Sequence, residues 1–322
     1  MNRHHAEVEI GWRSPMSRLS RVKLEGGGVY YHLCARVAGP KGTYPLDNEM
    51  CRRRIIETIR LFSRVYCCSI LGFAVMGNHY HLLVWMEPQQ EMSRKELMHR
   101  AGILYNKTLL DGWLEANWER FEERIYDVSE LMRSLQSSIA RWFNHTFRRR
   151  GRFWADRFKS TMFEDRKEAM ECLLYIELNA VRAGIVVRPE EYEGCSLHYK
   201  DIRKDKWMMP LSELTGEENK RTARADLKAR VYYRGSVPTK PNQRPIPHRI
   251  VSEEESRGFK TQGIFRKRVR HFVDGVVVGN KEFVLQQIEK LREQGQYKRR
   301  KNPIEQLGGL YVGLKAQRET ST

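Results

Sequence analysis

The stretch CSILGFAVMGNHYHLLVWM, residues 68–86, constrains the fold more than any other part of the chain. Two apolar runs flank Met76, Gly77 and Asn78, the residue chemistry of a tight turn between antiparallel strands. The second run begins with two histidines, His79 and His81, on either side of Tyr80. Side chains alternate faces along a strand, so both imidazoles project from one face and Tyr80 from the other. Two imidazoles side by side can share a metal ion or a phosphate.

The neighbouring elements build a layer around this hairpin. After the glycines ending at Gly28, VYYHLCARV is rich in β-formers and reads as a first strand. Residues 46–66 place Met50, Ile55, Ile56, Ile59, Leu61 and Phe62 at mostly helical spacing, and Asp47 or Asn48 can cap the helix. Residues 92–110 and 128–149 are also helical in period, the second ending in a basic cluster before Gly151. RFWADRFKSTMF reads as another strand. From residue 165, DRKEAMECLLYIELNAVRAG predicts a long helix, acidic in its first turns and closed by Ala183 and Gly184. The order β-α-β-β-α-α-β-α predicts an α+β fold. Its core is a ferredoxin-like antiparallel sheet with helices on one face, interrupted by a helical insertion and followed by a basic, mainly helical C-terminal extension.

Charge narrows the partners. Lys and Arg number 58 against 40 Asp and Glu, a formal net charge of +18, which favours nucleic acid, with an anionic membrane surface second. No run of about 18 apolar residues exists and the opening MNRHHAEVEI lacks the apolar core of a signal peptide, so the expectation is a cytoplasmic chain with no membrane contact. The six cysteines form no CxxC pair and read as reduced and mostly buried. Residues 1–25 read as a flexible basic arm and 26–190 as the principal domain. Residues 191–250 read as an extension and linker, with four of the 11 prolines in VPTKPNQRPIPHR. Residues 251–322 read as a small basic helical region suited to DNA.

Tyr175 and Asn179 lie four residues apart on the predicted helix, with Glu171 four residues before them, so all three share a face. Beside two strand histidines this forms a constellation, because a divalent ion accepts imidazole nitrogen and amide oxygen. Each residue also has an ordinary role: a strand histidine packs, Tyr175 belongs to a helix flanked by Leu174 and Ile176, Asn179 bonds at a helix end, and Glu171 is solvated.

GNHYHLLVW resembles the His-hydrophobic-His motif of HUH single-strand endonucleases. LLYIELNAVRAG resembles the catalytic-tyrosine helix of REP-associated tyrosine transposases, the IS200-like single-tyrosine HUH family. The intervening GRFWADRFKSTMFED is similar to the same family, so the resemblance spans roughly residues 18–190. It implies cleavage and rejoining of single-stranded DNA through a 5′-phosphotyrosine, without ATP, on a ferredoxin-like core with Mg²⁺ or Mn²⁺. Carried over, Tyr175 is the nucleophile, His79 and His81 are metal ligands and Asn179 is the third protein ligand, where related transposases often have Gln. Ala180 stands where the family often has Pro.

The implied substrate is single-stranded or hairpin DNA. Arg148, Arg149, Arg150, Arg152, Trp154, Arg157 and Lys159, with Trp142, Phe143, Phe147 and Phe153 among them, offer stacking and phosphate contacts together. The alternative function is a non-catalytic regulator that binds hairpin nucleic acid. A replication initiator or relaxase ranks third, since no GxxxxGK[ST] loop occurs. One chain does not decide between a monomer and a homodimer.

Overall fold

The structure, a computed structural model, describes residues 28–40, 42–203, 205–238, 243–257, 276–294, 302–306 and 310–313. The basic arm at 1–25, much of the basic C-terminal segment and part of the proline-rich linker lie outside these residues.

Strand β1 (Val29–Arg36) leads into helix α1 (Glu49–Ser63), then β2 (Cys68–Val75) and β3 (His79–Met86). The expected hairpin joins β2 to β3, with Val75 opposite Tyr80 and the Met76 amide donating to the His79 carbonyl at 2.8 Å. Of the two candidate caps for α1, Asn48 serves: its side chain accepts from the Cys51 amide at 2.8 Å. The helical insertion comprises α2 (Arg94–Gly102), α3 (Lys107–Asp111), α4 (Glu115–Ile125) and α5 (Val128–Thr146). The single helix expected over 92–110 is two, because the Asn106 side chain accepts from the Leu109 amide and starts a new helix. Strand β4 (Lys159–Phe163) is shorter than the expected strand from Arg152, and Trp154 makes only an isolated bridge to Val37.

The helix beginning after the Asp165 cap runs as α6 (Arg166–Glu177), turns at Leu178 and continues as α7 (Asn179–Arg182). Gly184, at φ 73°, closes it as expected, with its own amide bonded to the Val181 carbonyl and the Ile185 amide to that of Ala180. Helices α8 (Ser196–Asp201), α9 (Leu211–Thr215), α10 (Lys220–Gly235) and α11 (His248–Ser256) follow. The extension then supplies β5 (Val277–Gly279), a helix at Lys281–Glu293, β6 (Ile304–Gln306) and β7 (Leu310–Gly313).

The fold is α+β. The order β2-β3-β1-β4, with every pairing antiparallel, is that of a ferredoxin-like sheet, and β5, β7 and β6 lengthen it to seven strands among the described residues. The C-terminal extension is therefore part strand, and it enters the sheet through parallel pairing of β5 on β4. Helices α1 and α5 share one face as expected, packed on Tyr31, Leu33, Tyr80, Leu82 and Val84. The opposite face is covered as well, by α6 against Leu71, Ala74 and Leu83, with α10 behind it. All six cysteines are unpaired, and all but half-buried Cys34 are buried.

Candidate active site

The second face of β3 carries the site. His79 stands opposite Arg36 of β1, and His81 stands opposite Cys34, which in turn faces Lys159 of β4. Partners in register share a face, so Arg36, Cys34, Lys159, His79 and His81 all project towards the α6 side. The His79 and His81 ring centres are 5.0 Å apart with their planes perpendicular. His79 is half-buried, whereas His81 is only 3% exposed.

Helix α6 brings Tyr175 down on this pair. Its approach depends on Gly72, where an added Cβ would collide with Leu173 of α6 and with the Ser196 hydroxyl. A bulge between Ile70 and Gly72 sets that glycine beneath the helix. The Tyr175 ring centre then lies 5.7 Å from that of His81, edge-on. Glu171, Tyr175 and Asn179 form the half-buried stripe between fully buried neighbours, as the spacing predicted. Glu171 is not simply solvated: it pairs with Arg234 of α10 at 3.5 Å.

Two residues that the sequence reading did not single out complete the centre. His32 of β1, 2% exposed, places its Nε2 2.8 Å from Nδ1 of His81, with the rings 5.0 Å apart. Arg182 holds its guanidinium over the Tyr175 ring, 5.4 Å from the ring centre. The first had a signal: in VYYHLCAR the polar side chains Tyr30, His32 and Arg36 alternate with buried Tyr31, Leu33 and Ala35. Arg182 stands seven residues beyond Tyr175, two helical turns along the same face.

Burial drives the His79 imidazole down to about 4, and the Arg36 guanidinium opposite it pushes the same way. Burial drives His81 well below the ordinary imidazole value, helped by the neighbouring His32 and His79. Both rings are neutral at pH 7, the form that binds a cation. Burial also brings Arg182 down to about 10; negative charge on Tyr175 opposes that shift and Arg234 reinforces it. Arg182 stays cationic at pH 7 and holds its charge over the Tyr175 ring.

A solved structure similar to this chain is that of the REP-associated tyrosine transposase bound to a REP hairpin. The TM-score is 0.40 and the identity 15%, over 60% of this chain and 91% of that one. No family model matches the sequence, and no curated protein matches it. The chemistry of the site therefore rests on its own residues.

Among the described residues no group of three or more His, Cys, Asp or Glu side chains is placed to hold a metal ion. A cation at His79 and His81 would have two protein nitrogens and would need amide, phosphate or water oxygens for its remaining positions. The donor chemistry fits such an ion. Nδ1 of His79 is bonded to the Asn78 side-chain oxygen at 2.8 Å and Nδ1 of His81 to Nε2 of His32 at 2.8 Å, so in each ring Nε2 is the nitrogen outside these bonds. The Asn179 amide donates to the Tyr175 and Ile176 carbonyls at 3.1 and 3.3 Å, which bridges the turn at Leu178 and leaves its oxygen as an acceptor.

The predicted DNA-contacting residues divide. Arg148, Arg149, Arg150, Arg152, Arg157 and Lys159 are exposed, and Phe147 presents an open ring among them. The salt bridge of Arg152 to Asp156 is 4.0 Å long between two exposed side chains, so it leaves the guanidinium available to phosphate. Trp154 is a correction: it is 9% exposed, packs against Tyr80 and Phe153, and donates its indole N–H to the Gln136 carbonyl at 2.9 Å. Its ring belongs to the core and has no face for a base. Lys159, in the cross-strand row of Cys34 and His81, links the basic segment to the histidine pair.

Among the described residues no helix is long and apolar enough to cross a membrane.

Proposed function

We propose that this chain is a metal-dependent single-stranded DNA endonuclease and strand transferase of the transposase type, acting on hairpin-forming DNA through a 5′-phosphotyrosine. The observation that carries the reading is the packing of Tyr175, from α6, against His81 and His32, from two strands, with ring centres 5.7 and 6.2 Å apart. The motif resemblance of GNHYHLLVW and LLYIELNAVRAG, the surplus of basic residues and the exposed arginines from Arg148 to Arg157 support it.

His79 and His81, with Asn179 as third protein ligand, would hold Mg²⁺ or Mn²⁺. Such an ion supplies Lewis-acid polarisation of the phosphoryl oxygens and charge neutralisation at the leaving oxygen. Tyr175 Oη attacks phosphorus, the bond to the 3′ oxygen breaks, and the phenolic proton is balanced by protonation of that oxygen. Arg182, over the Tyr175 ring, favours the ionised phenol before attack. Because the phosphodiester energy stays in the phosphotyrosine, a 3′-hydroxyl reverses the step and rejoins strands. Arg36 and Lys159, on the face that carries the histidines, hold the phosphates on either side of the cut.

The test is incubation with Mn²⁺ or Mg²⁺ and end-labelled single-stranded hairpins from the gene's own flanks, followed by a denaturing protein gel. A retarded band carrying the 3′-side fragment, absent in Tyr175→Phe and His79→Ala, is expected. Salt-dependent hairpin binding without an adduct under either metal would replace this reading with that of a non-catalytic hairpin-binding regulator.

A further inference from the structure

His32 is placed by the fold, not by the motif. It sits on β1 opposite Leu83 of β3 and Thr161 of β4, two pairs along from the Cys34 and His81 pair. Its side chain therefore shares the buried face of His81, and the two rings lie nearly parallel, 22° apart. The contact between His32 Nε2 and His81 Nδ1 is a 2.8 Å hydrogen bond between two buried rings. A neutral imidazole carries one N–H, so one proton lies between these nitrogens and only two arrangements exist. If His32 donates, His81 accepts at Nδ1 and must carry its own proton on Nε2, which removes the lone pair facing the site. If His81 donates from Nδ1, its Nε2 is open.

The second histidine discriminates between them. His79 Nδ1 faces the Asn78 side-chain oxygen at 2.8 Å, and an amide oxygen only accepts. His79 is thereby held with its proton on Nδ1 and its Nε2 lone pair free. For the two rings to act on one cation, His81 must be in the same state. Resting on the function proposed above, we infer that His32 is a positioning residue: it accepts the His81 Nδ1 proton and locks His81 in the tautomer whose Nε2 binds a divalent cation. His32 is not itself a ligand in this arrangement, because its Nε2 is spent on His81. A ligand histidine held through its other nitrogen is the general pattern of metal centres, and loss of such a partner weakens metal binding about 10- to 100-fold.

Two measurements on the full-length protein decide the matter. In the metal-free protein at neutral pH, long-range ¹H–¹⁵N correlation of the ring nitrogens, with His81 assigned by His81→Gln, is expected to show a proton on Nδ1 of His81. In His32→Leu that signal should shift towards the Nε2–H tautomer. Mn²⁺ affinity by electron paramagnetic resonance should fall about 10- to 100-fold in His32→Leu. It should largely return in His32→Gln, whose side-chain oxygen can accept the same proton. A merely structural histidine would give a packing defect in both variants, with no rescue and no change of tautomer. A wild-type protein with His81 protonated on Nε2, or a folded His32→Leu protein with unaltered Mn²⁺ affinity, overturns the inference. If His32→Leu does not fold, the wild-type tautomer and the Gln variant still decide it. A wild-type protein that forms the tyrosine adduct yet fails these tests refutes the role of His32 alone. One that binds no Mn²⁺ and forms no adduct refutes the function, and its His81 tautomer still reports on His32.

Discussion

The two faces of the four-stranded core are built from the same strands and differ in almost every property. On the α1 and α5 face, Tyr31, Leu33, Ala35, Tyr80, Leu82 and Val84 are buried in one apolar cluster. On the α6 face, the alternate residues of β1, β3 and β4 include His32, Cys34, Arg36, His79, His81, Lys159 and Thr161. The apolar face supplies stability through area removed from water and close packing. The polar face gives up some of that stability to hold neutral imidazoles and a phenol in register. Rigidity made by one face holds the side chains of the other in fixed positions.

Substitutions on each face test this division. The largest expected effect is on chemistry: Tyr175→Phe should abolish the covalent adduct, by more than about 10³-fold in rate, with hairpin binding and thermal midpoint retained. Nicking by that variant would show that the polar face does not act through Tyr175. On the opposite face Leu82→Ala should cost about 2–5 kcal/mol by urea titration, since Leu82 is fully buried in the α1 and α5 cluster. A loss below about 1 kcal/mol there would mean that this face is not the stabilising one.

Gly72→Ala sharpens the comparison because it acts on both properties. The new methyl meets Leu173 and Ser196, so a loss of about 1–3 kcal/mol is expected, together with displacement of α6 and reduced adduct formation. A stable Gly72→Ala protein with full activity would show that the depth of α6 does not matter.

Acid separates the faces more gently. The folded protein holds His79 down to about 4, below the ordinary value of about 6.5, so the unfolded chain takes up the proton first as pH falls. Stability should be complete above about 6.5 and decline towards 4, by at most about 1.4 kcal/mol per pH unit for this residue. Denaturation midpoints at several pH values should show the decline in the parent and a weaker one in His79→Gln. The smallest effect is at the rim: Arg152→Ala should lower hairpin affinity a few-fold and reduce the salt dependence by about one phosphate contact. An unchanged salt slope would place the DNA elsewhere.

Much of this architecture is legible in the chain. Alternation in residues 68–86 reports the hairpin and the shared face of His79 and His81, because strand periodicity is a property of neighbouring residues. Capping chemistry at Asn48 and the left-handed Gly184 are equally local. Other features had no such signal. Trp154 stands among arginines and reads as a surface ring, yet Tyr80 and the Gln136 carbonyl draw it inward. The strands after residue 276 are three or four residues long, too short for periodicity, and are defined by pairing with β4 and one another.

By itself, then, the sequence determined the hairpin, the common face of the two histidines, the helix that bears Tyr175 and the excess of positive charge. These follow from alternation, capping and composition, which need no knowledge of distant contacts. The tertiary structure alone decided that α6 covers the histidine face, that Gly72 admits it, that His32 and Arg36 flank the pair and that Arg182 lies over Tyr175. It also brought Glu171 to Arg234 and joined the C-terminal strands to the sheet. Each of these is a contact between segments far apart in the chain. A histidine in an apolar strand reads the same whether it fills space or holds another histidine in place, and only the partner strand distinguishes the two.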